Sequence, residues 1–271
     1  MKKPRWFNLV FFVLIMIIII PMIFPLYWMF ISAFRTQADI IQWPPGFFFA
    51  PTLHNFDRIF GEQNFLLYLK NSAIITGGAV LVSLVVGLPA AYSIARFRQK
   101  RLLVLILAAW LMPGIFFLLP WQAVFSRLEL TGSYTALIFS HIFITLPVVV
   151  WIMSSYFKTI PAELDASAML DGASRQRAFL SIILPLSMPG VITVATVAFL
   201  FSWNNFMFAQ ALSTEETRTL PVAIYNFMTA AYFDWGLVMA AILVMVTPVI
   251  ALAIFFRKYV INSLPVGAVK G

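Results

Sequence analysis

The sequence predicts an all-α membrane protein that crosses the bilayer six times, and three observations carry that reading. Of its 271 residues, 62% are hydrophobic and only 10% charged. Average soluble chains hold about 45–50% apolar and about 25% charged residues, too much charge for this chain to match. Six long stretches contain no Asp, Glu, Lys or Arg: residues 6–34, 71–95, 102–126, 130–157, 178–214 and 235–256. Each exceeds the roughly 20 residues that a helix needs to cross a ~30 Å hydrocarbon core. The basic residues between these stretches are unevenly divided, as orientation in a membrane requires.

The first stretch follows Lys2-Lys3-Pro4-Arg5. A signal peptide would have an apolar run of only ~7–15 residues and a small-residue cleavage site. Residues 8–34 are therefore expected as an uncleaved first span. The remaining spans are expected near 71–95, 102–121, 135–156, 186–212 and 236–256. Pro44, Pro45 and Pro51 deny a continuous helix to residues 40–56. Residues 219–233 are short, open on Leu220-Pro221, and read as an interfacial or loop segment. Residues 1–271 form a single transmembrane domain in this reading.

With the N-terminus inside, the inner connections hold 13 Lys and Arg and the outer ones five. Both termini are accordingly expected in the cytoplasm. The net charge of +8 is thus mainly an orientation signal. Nucleic-acid binding needs a basic cluster on a solvated face and is set aside. The cluster Arg96–Arg101 reads as a topological anchor rather than a head-group site. The chain has no Cys and only His54 and His141, so neither disulfides nor a metal centre are expected.

Residues 158–184 form the only sizeable inner connection and hold all three inner acids, Glu163, Asp165 and Asp171. Pro161 suits a first helical turn, and Glu163 and Asp165 suit the positive end of the helix dipole. Leu164, Ala168 and Asp171 fall on one helical face. Gly172 can take the left-handed conformation that ends a helix, and Ser174 can cap a second one through Arg175 to Leu184. A short, mostly apolar helix with few charges is poorly suited to water and should dock in a partner's groove. A membrane-surface helix would carry Lys and Arg on its polar face, whereas this one is acidic.

This loop resembles the cytoplasmic EAA loop of binding-protein-dependent ABC importer permeases. Ala168, Asp171, Gly172, Ala173, Phe179, Leu184, Pro185 and Pro189 match its pattern. A likeness to the maltose-type subfamily extends along the chain. It includes Asn71-Ser72, Ala90-Ala91-Tyr92 before Arg96, Trp203-Asn204, Leu220-Pro221 and the ending Gly267-Ala268-Val269-Lys270-Gly271. The motif's leading Glu falls on Ala166 and its first Ala on Ser167, so the usual negative charge is displaced to Asp165 or Glu163.

The resemblance implies a non-enzymatic permease subunit in a prokaryotic inner membrane, importing a sugar, polyol or related small solute. It implies a second homologous permease subunit, two ATP-binding subunits and an extracytoplasmic solute-binding protein as partners. ATP and Mg²⁺ would reside on the partner subunits, with no cofactor in this chain. It assigns Glu163, Leu164, Asp165, Ala168, Met169, Asp171, Gly172 and Ala173 to the helix that couples to the ATPase. The tail 262–271 is similar to tails that also reach the ATP-binding subunits.

Polar residues inside the spans are the candidates for a solute path. His141 lies in the fourth span, where an ionisable group is a functional candidate and a hydrogen-bonded core histidine is equally common. Trp203, Asn204, Asn205 and Gln210 place polarity deep in the fifth span. They could line a path for hydroxyl-rich solutes or bond between helices, with Asn204 and Asn205 on different sides. A stand-alone secondary transporter or channel is the competing reading. A coupled carrier commonly has intramembrane acids, which the six stretches lack, and no internal repeat is evident. No Gly-x4-Gly-Lys-Ser/Thr pattern is present, so ATP hydrolysis is not expected of this chain.

Overall fold

The computed structural model describes residues 5–44, 46, 48–229 and 233–263, with side chains over 11–258 of these. Fourteen helices follow one another among the described residues, with no strand. They are α1 (Arg5–Ala33), α2 (Gln37–Ile41), α3 (His54–Gly61), α4 (Phe65–Arg96), α5 (Lys100–Leu111), α6 (Ile115–Arg127) and α7 (Tyr134–Thr159). After these come α8 (Glu163–Leu170), α9 (Arg175–Ala178), α10 (Leu184–Leu186), α11 (Met188–Trp203), α12 (Met207–Leu212), α13 (Leu220–Thr229) and α14 (Trp235–Ser263). A π turn, Phe179–Ile183, joins α9 to α10.

Four of these helices are long and apolar enough to cross a membrane: Phe11–Ala33 within α1, then α4, α7, and Trp235–Lys258 within α14. Two bent pairs qualify when each is taken together. One is α5 with α6, at 91°; the other is the Arg175–Leu186 segment with α11, at 78°. The span expected at 102–121 is therefore broken. Pro113 disfavours helical backbone at the residue before it, and Met112 is extended, with φ −65° and ψ 134°. Helix resumes when Phe116 and Phe117 donate to the carbonyls of Pro113 and Gly114.

The span expected at 186–212 is interrupted twice. It bends at Ser187, and α11 stops at Trp203 before α12 begins at Met207. Residues 219–233 also differ from expectation. They include α13, whose residues Leu220, Val222, Ala223 and Ile224 are buried. Pro221 sits in its first turn, where the missing N–H is harmless, so the proline starts this helix instead of preventing it.

Two compact units are present. The first comprises Met1–Leu66 and Ile224–Thr247. Here Asn55 of α3 donates from Nδ2 to the carbonyls of Ala33 (2.9 Å) and Arg35 (2.8 Å), satisfying backbone acceptors at the end of α1. Thr36 and Asp39 form a reciprocal capping box on α2. Gln37 donates to the Phe233 carbonyl and accepts from the Trp235 N–H, and Arg58 pairs with Asp234.

The second unit comprises Leu67–Ala223 and Pro248–Gly271. Its central element is α7, which buries Val149, Met153 and Phe157 against Leu88, Ala91 and Tyr92 of α4 and Val194 and Ala198 of α11. A second cluster gathers Ile75, Phe125, Leu137 and Phe208. Gly190 permits the close approach of α11 to α7. A Cβ there would meet the Tyr156 ring at 2.8 Å.

Candidate functional site

The loop 160–174 is built from backbone rules. Residues Glu163 and Asp165 occupy the first turn of α8, where the helix dipole favours negative charge. At its other end Gly172 has φ +85°, a left-handed conformation that costs an L side chain roughly 1–2 kcal/mol. The Gly172 N–H donates to the Met169 carbonyl (3.1 Å) and the Ala173 N–H to the Ala168 carbonyl (3.0 Å). Those two bonds are the Schellman pattern, which satisfies the last carbonyls of the helix. Ser174 then caps α9, its Oγ accepting from the Arg177 N–H at 3.2 Å.

The inward face of α8 differs from the expected Leu164–Ala168–Asp171 row. Asp165 and Ala168 are the buried residues of this helix. Glu163, Leu164, Ala166, Ser167, Met169, Asp171 and Gly172 are exposed, as is Leu170, at 89% of its full area. Ala173 is half-buried. Around its solvent side the helix exposes three apolar side chains, Leu164, Met169 and Leu170, among the carboxylates of Glu163 and Asp171.

Asp165 is turned into the protein. Its Oδ1 accepts a 2.6 Å hydrogen bond from the Tyr92 hydroxyl. Its Oδ2 lies 2.6 Å from Arg96 Nε, a close charge contact that is not aligned as a hydrogen bond. Arg96 also donates from one terminal nitrogen to the carbonyls of Ile160 (2.9 Å) and Phe157 (3.3 Å). These carbonyls lie in the last turn of α7 or just past it, where acceptors lack intrahelical partners and cations are favoured. The Tyr92 ring packs on Phe179 and Phe157, at centroid distances of 4.8 and 5.9 Å. Removing one member of such a buried pair leaves an uncompensated charge, at about 3–5 kcal/mol.

Sequence reasoning placed Arg96 with the anchor cluster and missed this pairing. Arg98, Lys100 and Arg101 are exposed as an anchor requires, whereas the Arg96 side chain is almost fully enclosed. The available signal was the i,i+4 spacing of Tyr92 and Arg96, which puts both on one face of the last turn of α4.

The polar residues of the spans separate into two groups. His141 is buried in α7, with Nδ1 2.7 Å from Ser202 Oγ. Ser202 donates onward to Thr76 Oγ1 at 3.2 Å. Thr145 Oγ1 donates to the His141 carbonyl (3.1 Å) and shares a 2.6 Å hydrogen bond with Ser83. These residues tie α4, α7 and α11 together. Trp203 is likewise buried, stacked on Phe199 with centroids 5.2 Å apart.

Asn204 and Asn205 instead border one open groove of about 660 Å³ with Ile144, Leu200 and Phe206. They were expected on different sides, as successive residues of a continuous helix would be. The helix ends at Trp203, so that angular offset does not apply. Asn204 Nδ2 donates to the Leu200 carbonyl, and Asn205 Oδ1 accepts from the Phe208 N–H at the start of α12. Among the described residues, no three His, Cys, Asp or Glu side chains converge as metal ligands do.

Comparisons with known proteins agree with this architecture. The family model described as "Binding-protein-dependent transport system inner membrane component" matches residues 83–264. The chain is 35% identical to the trehalose/maltose transport system permease protein MalG of Thermococcus litoralis, over 92% of each chain. It is 32% identical to the sulfoquinovosyl glycerol transport system permease protein SmoH of Agrobacterium fabrum, over 96% of this chain and 93% of that one. A chain in the crystal structure of a bacterial ABC transporter that imports the acidic polysaccharide alginate shares the fold. The TM-score is 0.76 at 22% identity, covering 96% of this chain and 98% of that one. The protein therefore belongs to the inner membrane components of binding-protein-dependent ABC transport systems, as a transport subunit and not an enzyme.

Proposed function

We propose that this chain is half of the translocation path of an ATP-driven importer, with six spans and both termini on the cytoplasmic side. In this reading the bent pairs each count as one span and residues 1–271 form one transmembrane domain. The loop 158–184 then lies in the cytoplasm, and α8 seats in a groove of an ATP-binding subunit. The observation that supports this most directly is the exposure of Leu164, Met169 and Leu170 on a short helix whose C-terminal end is closed by the Gly172 and Ala173 hydrogen bonds. Three apolar side chains exposed on eight helical residues call for a protein cover. Glu163, Asp171, Gly172 and Ala173 lie beside these side chains, and Asp165 and Ala168 face inward to fix the helix. The tail that begins at Asn262 is the second proposed contact, although its residues from 264 onward lie outside the described ones.

A second permease chain, two ATP-binding subunits and an extracytoplasmic binding protein complete the assembly. ATP and Mg²⁺ sit on the partner subunits. The solute is a saccharide, a polyol or a glycosylated glycerol. Support comes from the relatives, which are named for transport of trehalose or maltose, sulfoquinovosyl glycerol and diacetylchitobiose. Asn204 and Asn205 are the proposed path residues, since amides bordering an open groove can pair with hydroxyls. His141 and Trp203 are proposed to shape the wall behind them.

Because the chain contains no Cys, a single Leu170→Cys variant reports on one site. Cross-linking from the introduced thiol to the co-expressed ATP-binding subunit, lost on adding competing soluble subunit, is the expected result. Solute transport by the purified chain without any ATPase would overturn the proposal.

A further inference from the structure

We propose that Tyr92 and Arg96 are positioning residues that clamp α8 to α4 through Asp165, so that force on α8 reaches α4 directly. This rests on the reading of α8 as the helix seated on the ATPase.

The chain leads from α8 only into its sequence neighbours, backward to α7 through Ile160–Pro161 and forward to α9 through Gly172. Helix α4 lies 73 residues away from Asp165 in sequence, at Tyr92. Besides those connections α8 packs on α9 and on the π turn Phe179–Ile183, neither of which belongs to α4. The lateral link to α4 consists of few groups. Of the two buried residues on α8, Ala168 offers a single methyl group, so Asp165 supplies the polar part of the attachment. Both carboxylate oxygens are engaged, one by the Tyr92 hydroxyl and the other by the Arg96 guanidinium, each at 2.6 Å.

Arg96 extends the link to a third helix by donating to the carbonyls of Phe157 and Ile160. One guanidinium thus joins the ends of α4 and α7 to the first turn of α8. Phe157 and Phe179 pack against the Tyr92 ring and, at 6.1 Å, against each other, and this aromatic cluster fixes the Tyr92 hydroxyl against the carboxylate. A charge pair specifies one geometry more narrowly than apolar packing of the same size would, since misplacement leaves buried charge unpaired. That property suits a joint that must transmit displacement without slipping.

Paired spin labels at Ser167→Cys and Val85→Cys, both exposed positions, read the α8–α4 distance in the otherwise cysteine-free chain. The labels are measured in the chain alone, and again in the complex with its ATP-binding subunits, with and without ATP, Mg²⁺ and orthovanadate. The expected result is one narrow distance, unchanged between the nucleotide-free and trapped complexes. In Asp165→Asn and Tyr92→Phe that single distance should be lost in the chain alone and shift on trapping, while the ATP-binding subunits still co-purify. The exchange Asp165→Arg with Arg96→Asp should restore it in part.

A narrow, unchanged distance in Asp165→Asn would overturn the proposal. So would variants that all leave the membrane or lose the ATP-binding subunits, because that reports a purely structural role. Failure of the unaltered chain to retain ATP-binding subunits would instead defeat the functional reading, and the distance in the chain alone would still decide whether the clamp exists.

Discussion

The Tyr134 hydroxyl donates to Asn71 Oδ1 at 2.6 Å. Asn71 Nδ2 in turn donates to the carbonyls of Glu216 (2.9 Å) and Arg218 (2.8 Å). One amide therefore joins α4, the first turn of α7 and the approach to α13. Ser72 beside it accepts from the Leu220 N–H at 2.8 Å, so the dipeptide determines where α13 begins.

The consequence for stability is an ordering. Tyr134→Phe removes one hydrogen bond and should destabilise by about 1 kcal/mol. Asn71→Ala removes three and strands two backbone carbonyls, so roughly 2 kcal/mol is expected. Thermal midpoints of the detergent-purified chain should fall in that order. A larger loss for Tyr134→Phe would show that the tyrosine has a partner of more weight than Asn71.

Gly172 gives a second, more local prediction. A Cβ there would meet nothing within 4 Å, so Gly172→Ala suffers only from its φ of +85°. The expected loss is about 1 kcal/mol, and Gly172→Asn should lose less because Asn tolerates this region. Gly172→Pro is worse, since proline cannot reach positive φ and deletes the N–H that bonds the Met169 carbonyl. Amide exchange over residues 163–174 should accelerate in the order Asn, Ala, Pro, with the core of α7 unaffected. Equal rates in all three would mean that α8 does not depend on its Schellman end.

The local grammar of this loop was legible because each signal acts within a few residues. Ser174 and Gly172 sit where capping rules place them. The helix bends were harder to read. A charge-free run such as 102–126 indicates an apolar path but not its direction, and of its two prolines Pro113 stands at the break while Pro120 lies inside α6. Arg96 was misread for a related reason. A basic run at a helix end is an anchor by default, and nothing local says that its first member turns inward to a carboxylate on a distant loop. Asn204 and Asn205 came together because α11 ends at Trp203, an event that apolar periodicity does not encode.

Gly190 offers a test of helix packing. A Cβ on it would lie 2.8 Å from Tyr156 Cγ and Cδ2, and the ring is not the free end of a long chain. Gly190→Ala should therefore destabilise by about 1–3 kcal/mol, the usual result of overpacking. Combining it with Tyr156→Ala should restore part of that loss, because the smaller side chain vacates the clash. Strict additivity of the two substitutions would place the conflict elsewhere on α11.

The last prediction concerns the proton on His141. Ser202 has one hydroxyl proton, and it is directed to Thr76 Oγ1. Ser202 can then only accept from His141, so Nδ1 must carry the ring hydrogen at the 2.7 Å contact. That leaves Nε2 as a bare acceptor, and this buried nitrogen indeed has no hydrogen-bond partner. An unpaired lone pair there is easier to tolerate than an unpaired buried N–H. The assignment is open to ¹⁵N solid-state NMR of histidine-labelled protein in lipid. The chain holds two histidines, and replacing the exposed one, His54→Gln, leaves a single ring to observe. A protonated Nδ1 and an unprotonated Nε2 are expected, with the Nδ1 signal moving in Ser202→Ala. A protonated Nε2 would reverse the direction of the whole chain of hydroxyls from Thr76 to His141.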